Sequence, residues 1–210
     1  MFQFLRHLFG HKEPANEMKH LIVGLGNIGQ EYDGTRHNIG FRILDALAQS
    51  ASNVVFQDRR YGFVARMRCK NQELVLLKPS TYMNLSGNAV RYWMKEENVP
   101  LERVLILCDD IALPLGTIRI RQGGADGGHN GLKHIAQVLG TQQFQRLRFG
   151  VGGDFPRGGQ VDYVLGRFLP DEEALLRERI PQACDAVRAY ALCGLPFAMN
   201  HYNGPGKKET

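Results

Sequence analysis

Apolar positions along the chain gather into short runs separated by longer stretches with helical spacing. HLIVGL (20–25), GFVARMRC (62–69), ELVLLKP (73–79), RVLILCDD (103–110), GTIRIRQG (116–123) and QRLRFGVG (145–152) read as strands. Helical periodicity predicts helices over 41–50, 87–97 and 129–139. The segment DEEALLRERIPQACDAVRAYALCG (171–194) is also helical, with acids in its first turn. Pro181 is expected to kink or break it, because proline lacks the N–H and clashes with the preceding turn. Strands alternating with helices predict an α/β fold, a mostly parallel sheet flanked by helices. A hairpin around Lys70-Asn71 makes that sheet mixed. With no internal repeat and no linker rich in proline or serine, the chain reads as a single domain.

Composition changes this picture little. The chain has 210 residues, 43% apolar and 22% charged, as in an ordinary globular protein. No apolar run approaches the roughly 18 residues that a membrane span needs, so no membrane partner is expected. Cys69, Cys108, Cys184 and Cys193 show no metal-binding spacing and read as buried free thiols of a reducing compartment. Residues 1–17 look detached, a disordered or surface-docked arm, and Met18 is a candidate start of the domain over 18–200. The tail, 201–210, reads as flexible.

Charge matters by its distribution. The formal net charge is +5. Between Gly116 and Arg167 there are Arg119, Arg121, Lys133, Arg146, Arg148, Arg157 and Arg167 against Asp126, Asp154 and Asp162. That bias points to phosphate contact. Arginines at i, i+2 in GTIRIRQ and QRLRFG share a strand face, which suits bidentate phosphate binding; a merely solvated face is the alternative.

The unusual residues gather in the loops that follow strands: GNIGQEYDGTRHNIG, STYMNLSG, CDDIALPLG and GGADGGHNG. In α/β sheets ligands bind where such loops leave the carboxyl ends of strands. The first contains Gly24-x-Gly26-x-x-Gly29, a dinucleotide pattern, but turn signals follow it and the next helix begins only at Phe41. No nicotinamide or flavin cofactor is expected. His37 lies in a loop, where Asp109 or Asp110 at a strand end can orient it and leave its other nitrogen as a base. Ser86 reads as a helix N-cap and not a nucleophile, which points to attack by an activated water. His129 and His134 lack nearby acidic partners, so no metal site is expected. Asn27, Asn84 and Asn130 are singly turn residues. Together, in facing loops, they can orient a water or stabilise an oxyanion.

These loops, in this order, resemble the bacterial-type peptidyl-tRNA hydrolase family, through GLGNIGQEYDGTRHNIGF, KPSTYMNLSG, DDIALPLGTIRIRQGGADGGHNGLKHI and RLRFGVG. The resemblance implies a monomeric cytoplasmic enzyme with a twisted mixed sheet and no cofactor. Such an enzyme cleaves the ester between peptide and tRNA and so recycles tRNA from aborted translation. By motif position it implies that His37 is the base, oriented by Asp109, and that Asn27, Asn84 and Asn130 complete the catalytic set. It places Tyr32 near the terminal ribose and Met83 and His129 along the substrate cleft. Arg119, Arg121, Lys133, Arg148 and Arg157 fall where the family meets the acceptor stem. Ile28 stands where the family usually has Pro, which loosens the loop carrying Asn27, and Ala112 stands where it often has Asp. An RNA-binding relative without catalysis, as in a chloroplast splicing-factor branch, is the second reading. It has no need of a base and its orienter.

Overall fold

The computed structural model describes residues 18–204. The expected arm over 1–17, and residues 205–210 of the expected tail, lie outside the described residues. Seven strands form one sheet: β1 (Met18–Gly24), β2 (Gln57–Arg59), β3 (Gly62–Cys69), β4 (Gln72–Pro79), β5 (Val104–Asp110), β6 (Ile118–Gln122) and β7 (Gln145–Gly150). The helices are α1 (Ile39–Gln49), α2 (Ser86–Glu96), α3 (Asn130–Leu139), α4 (Gln160–Leu165), α5 (Pro170–Cys193) and α6 (Leu195–Tyr202). Strand order is β2-β3-β4-β1-β5-β7-β6. The central strands β4, β1, β5 and β7 are parallel, while β2 and β3 on one side and β6 on the other run antiparallel to their neighbours.

Alternation along the strands sends side chains into two cores. From β1, Leu21 and Val23 pack with Val90 and Trp93 of α2 and with Leu132 and Ile135 of α3. Ile22 points the other way, to the stripe Ile39, Ile43, Leu44 and Leu47 on α1 and to α5. The sheet is therefore buried on both faces, as its near-continuous apolar runs require.

The glycine pattern of the first loop serves close packing. A Cβ on Gly24 would sit 2.4 Å from the carbonyl oxygen of Gly40, and one on Gly40 2.5 Å from that of Leu25. The start of α1 thus presses directly on the end of β1. Two short 3-10 turns, Gln30–Tyr32 and Arg36–Asn38, intervene before α1, so the third glycine does not open a helix as a dinucleotide-binding turn requires.

Several expectations are corrected. α5 runs unbroken through Pro181; Pro181 and Arg177, whose carbonyl loses its partner, are both exposed, and water can take that carbonyl. Ser86 is the first residue of α2 and not its cap, and its hydroxyl donates to the Met83 carbonyl. All four cysteines are free, but Cys193 is exposed and Cys69 only half-buried. Their side of the helix or sheet edge, which local sequence does not fix, decides this. The tail is ordered through Gly204: the Asn203 side chain accepts from the Ile120 N–H and donates to the Ile120 carbonyl, closing the β6 edge. Among the described residues no helix is long and apolar enough to cross a membrane.

Candidate active site

β1 and β5 are adjacent, with Gly24 paired to Leu107, so the chain leaving β1 and the acids ending β5 meet at one end of the sheet. Asn38 fixes the first of these loops. Its side chain accepts from the Asn27 N–H at 2.8 Å and donates to the Asn27 carbonyl at 2.9 Å. Ile28 is exposed, and the backbone beside it is held at Asn27 by this clamp. Arg36, buried, donates to the Arg167 carbonyl and to Glu172 and lies under the Tyr163 ring. His37 is thus gripped from both sides.

The glycine-rich loop arrives differently from expectation. β6 is antiparallel to β7, so the loop after β6 leaves the sheet at the end opposite the other three and must travel back. Positive φ at Gly123, Gly124, Gly127 and Gly128 makes that path possible. Arg146 holds it from below: 1% exposed, it donates to the carbonyls of Ala125 and Gln142. Arg146 is therefore an interior strap and does not form a phosphate-binding pair with Arg148. The loop ends at His129, the N-cap of α3.

The lack of an acidic partner expected for His129 is overturned, because only the fold brings it to Asp109. His129 Nδ1 accepts from the N–H groups of Gly131 and Leu132, at 3.1 and 3.4 Å, so its proton is on Nε2. That N–H donates to Asp109 Oδ1 at 3.1 Å. The same oxygen accepts from His37 Nδ1 at 2.8 Å. Burial alone would raise the Asp109 carboxyl, but the two imidazoles, His129 foremost, outweigh it and hold it well below the usual carboxylate range. With Nδ1 donating, the neutral His37 ring carries its lone pair on Nε2, the atom a general base uses. The three side chains converge within 4.8 Å, and these hydrogen bonds account for the convergence. His134 has a separate task, accepting from the Gly87 N–H to tie α2 to α3.

These groups line a cleft of about 540 Å³. Of the residues anticipated from sequence, Asn27, His37, Met83, Asn84, Asp109, His129, Asn130 and Arg148 meet in it. Tyr32, Arg119, Arg121, Lys133 and Arg157 lie outside its walls. Arg148 is ion-paired to Asp110 at 2.6 Å, and Ala112 donates its N–H to the other oxygen of that carboxylate. Sequence reasoning missed Asn38, Arg36, Asp110 as Arg148's partner, and the apolar wall from α4, Val161 and Val164. Spacing at i, i+3, i+4 for Val161, Val164 and Leu165 was the available signal for that wall. Nothing local marked Asn38.

The family profile described as peptidyl-tRNA hydrolase matches residues 21–210. The peptidyl-tRNA hydrolase of Phocaeicola vulgatus is 62% identical over 186 residues, 89% of this chain and 99% of that one. The Bacteroides fragilis peptidyl-tRNA hydrolase is 59% identical over the same length, with the same coverage of each chain. Among solved structures, the Acinetobacter baumannii peptidyl-tRNA hydrolase superposes with a TM-score of 0.83 at 35% identity, covering 90% of this chain and 95% of that one. The chain belongs to the peptidyl-tRNA hydrolase family.

Proposed function

We propose that in this peptidyl-tRNA hydrolase His37 is the general base that activates water against the ester joining peptide to the terminal ribose of tRNA. The observation that carries this is the bond from His37 Nδ1 to buried Asp109, which in the neutral ring puts the lone pair on Nε2, beside the asparagine-lined cleft. Nε2 takes a proton as the water oxygen attacks the ester carbonyl carbon. Asp109 stabilises the resulting imidazolium. The side-chain amides of Asn84 and Asn130 supply donors to the tetrahedral oxyanion and hold the water, and Asn27 fixes the substrate. Collapse expels the ribose 3′-oxygen, which takes the proton back from His37. No metal or cofactor enters these steps.

Met83, Val161 and Val164 give the cleft an apolar side for the nascent peptide. Arg119, Arg121, Lys133, Arg148 and Arg157, with Tyr32 at the terminal ribose, face the acceptor stem and 3′ end. The reading includes a monomeric enzyme that acts in the cytoplasm, where translation makes its substrate.

The test is release of free tRNA from N-acetyl-aminoacyl-tRNA, with unblocked aminoacyl-tRNA as control. His37→Ala should lower turnover by about 10²–10⁴-fold while tRNA binding persists. Turnover kept in that variant would remove His37 from the role. Tight binding by the wild-type protein with no cleavage would favour an RNA-binding protein on a hydrolase scaffold.

A further inference from the structure

His129 has two separate hydrogen-bonding tasks on opposite sides of its ring. Nδ1 caps α3 by accepting from Gly131 and Leu132. Nε2 donates to Asp109 Oδ1, the same atom that receives His37 Nδ1. The two rings stand with centroids 4.8 Å apart. The ring is 7% exposed in its side chain, and both nitrogens are engaged within the protein. A residue that only lined the substrate cleft would keep a polar atom for substrate. A residue that only capped a helix would not need an imidazole, since Asn or Ser caps as well.

We propose that His129 is a positioning residue of the hydrolytic step: through the shared Asp109 oxygen it locks the orientation of His37 to the N-terminus of α3, which carries Asn130. The inference rests on His37 being the base. Asn130 follows His129 directly and is the first residue of α3, so cap, base and amide move as one body. Without the second donor, Asp109 Oδ1 has His37 alone to fix it, and the carboxylate can turn about its own bond. α3 then keeps its place through its packing, which includes Met83 pressed against Gly131, and through the His134 tie to α2. The charged groups facing this network are Asp109 itself, the Asp110–Arg148 pair beside it on β5 and β7, and Asp126 in the glycine-rich loop.

The two tasks can be separated, because Asn places a polar atom where Nδ1 lies and Gln where Nε2 lies. His129→Asn keeps a helix cap and loses the bond to Asp109. His129→Gln keeps a donor to Asp109 and weakens the cap. The expected result is a fall in kcat of about 10–100-fold for His129→Asn, as for a small misplacement of reacting groups, with KM unchanged. His129→Gln should lose less kcat but more thermal stability. Nitrogen NMR of His37 should show a single tautomer, protonated on Nδ1, in the wild type and a mixture in His129→Asn. Unchanged kcat and tautomer in a folded His129→Asn would reduce His129 to a cap, and a loss confined to KM would make it a substrate contact; either result overturns the proposal. His37→Ala is measured alongside: if it keeps turnover the base assignment itself fails, whereas its collapse beside an unaffected His129→Asn defeats only the positioning role.

Discussion

At the scale of single residues, the site depends on side chains that hold backbone as much as on those that meet substrate. Asn38 is 4% exposed and satisfies both backbone groups of Asn27. Asn38→Ala should leave those groups without partners and cost about 1–3 kcal/mol, read from urea unfolding. Turnover should fall with it, because Asn27 and His37 lie on the loop thus freed; full turnover in a destabilised variant would show that substrate itself fixes the loop. Of the site, His37, Asp109 and the three cleft asparagines are legible in sequence, since each is a chemically distinctive residue in a loop after a strand. Asn38 is not legible. Its partner is eleven residues away, and in sequence it is one more polar loop residue.

At the scale of elements, apolar periodicity locates six of the seven strands and the three central helices, each to within a few residues. It misses β2, whose three residues are all exposed at the sheet edge, and α4, a single short turn-and-a-half set among glycines. It misreads Pro181 because a proline rule weighs local geometry alone. α5 buries Leu176, Ile180, Ala183, Cys184, Ala186 and Val187 on both sides of the proline, and that burial outweighs one lost hydrogen bond on the wet face. Pro181→Ala should restore the bond and remove the clash, raising stability by about 1–3 kcal/mol, the interior cost of proline less the entropy it removes from the unfolded chain. Thermal unfolding measures this, and an unchanged melting temperature would mean the helix has already relaxed around the ring.

At the scale of the whole molecule, a modest positive charge is arranged unevenly, and the fold sorts it further. Arg146 is interior, Arg148 is neutralised by Asp110, and Arg119 and Arg121 are only partly exposed, whereas Lys133 and Arg157 are exposed. Lys133→Ala and Arg157→Ala should each reduce the salt dependence of tRNA binding by roughly 0.7–0.9 per lost phosphate contact. Arg148→Ala should reduce it less, because a phosphate there must displace Asp110. Binding isotherms across a salt series decide this, and an equal change for all three would mean that the Asp110 pair opens on binding.

The sequence by itself determined the α/β class, the single sheet and its parallel centre, because burial on both faces demands continuous apolar strands of set length. It also marked which loops would meet at the cleft, because Asn, His and Asp in such numbers have no packing reason to be there. Only the tertiary structure decided how those groups are wired. It carries the glycine-rich loop back from the far end of the sheet, over the buried Arg146, until His129 meets the carboxylate that orients His37. Hydrogen bonds act over about 3 Å, and the chain positions 37, 109 and 129 come within that reach only when β1, β5 and α3 are packed together.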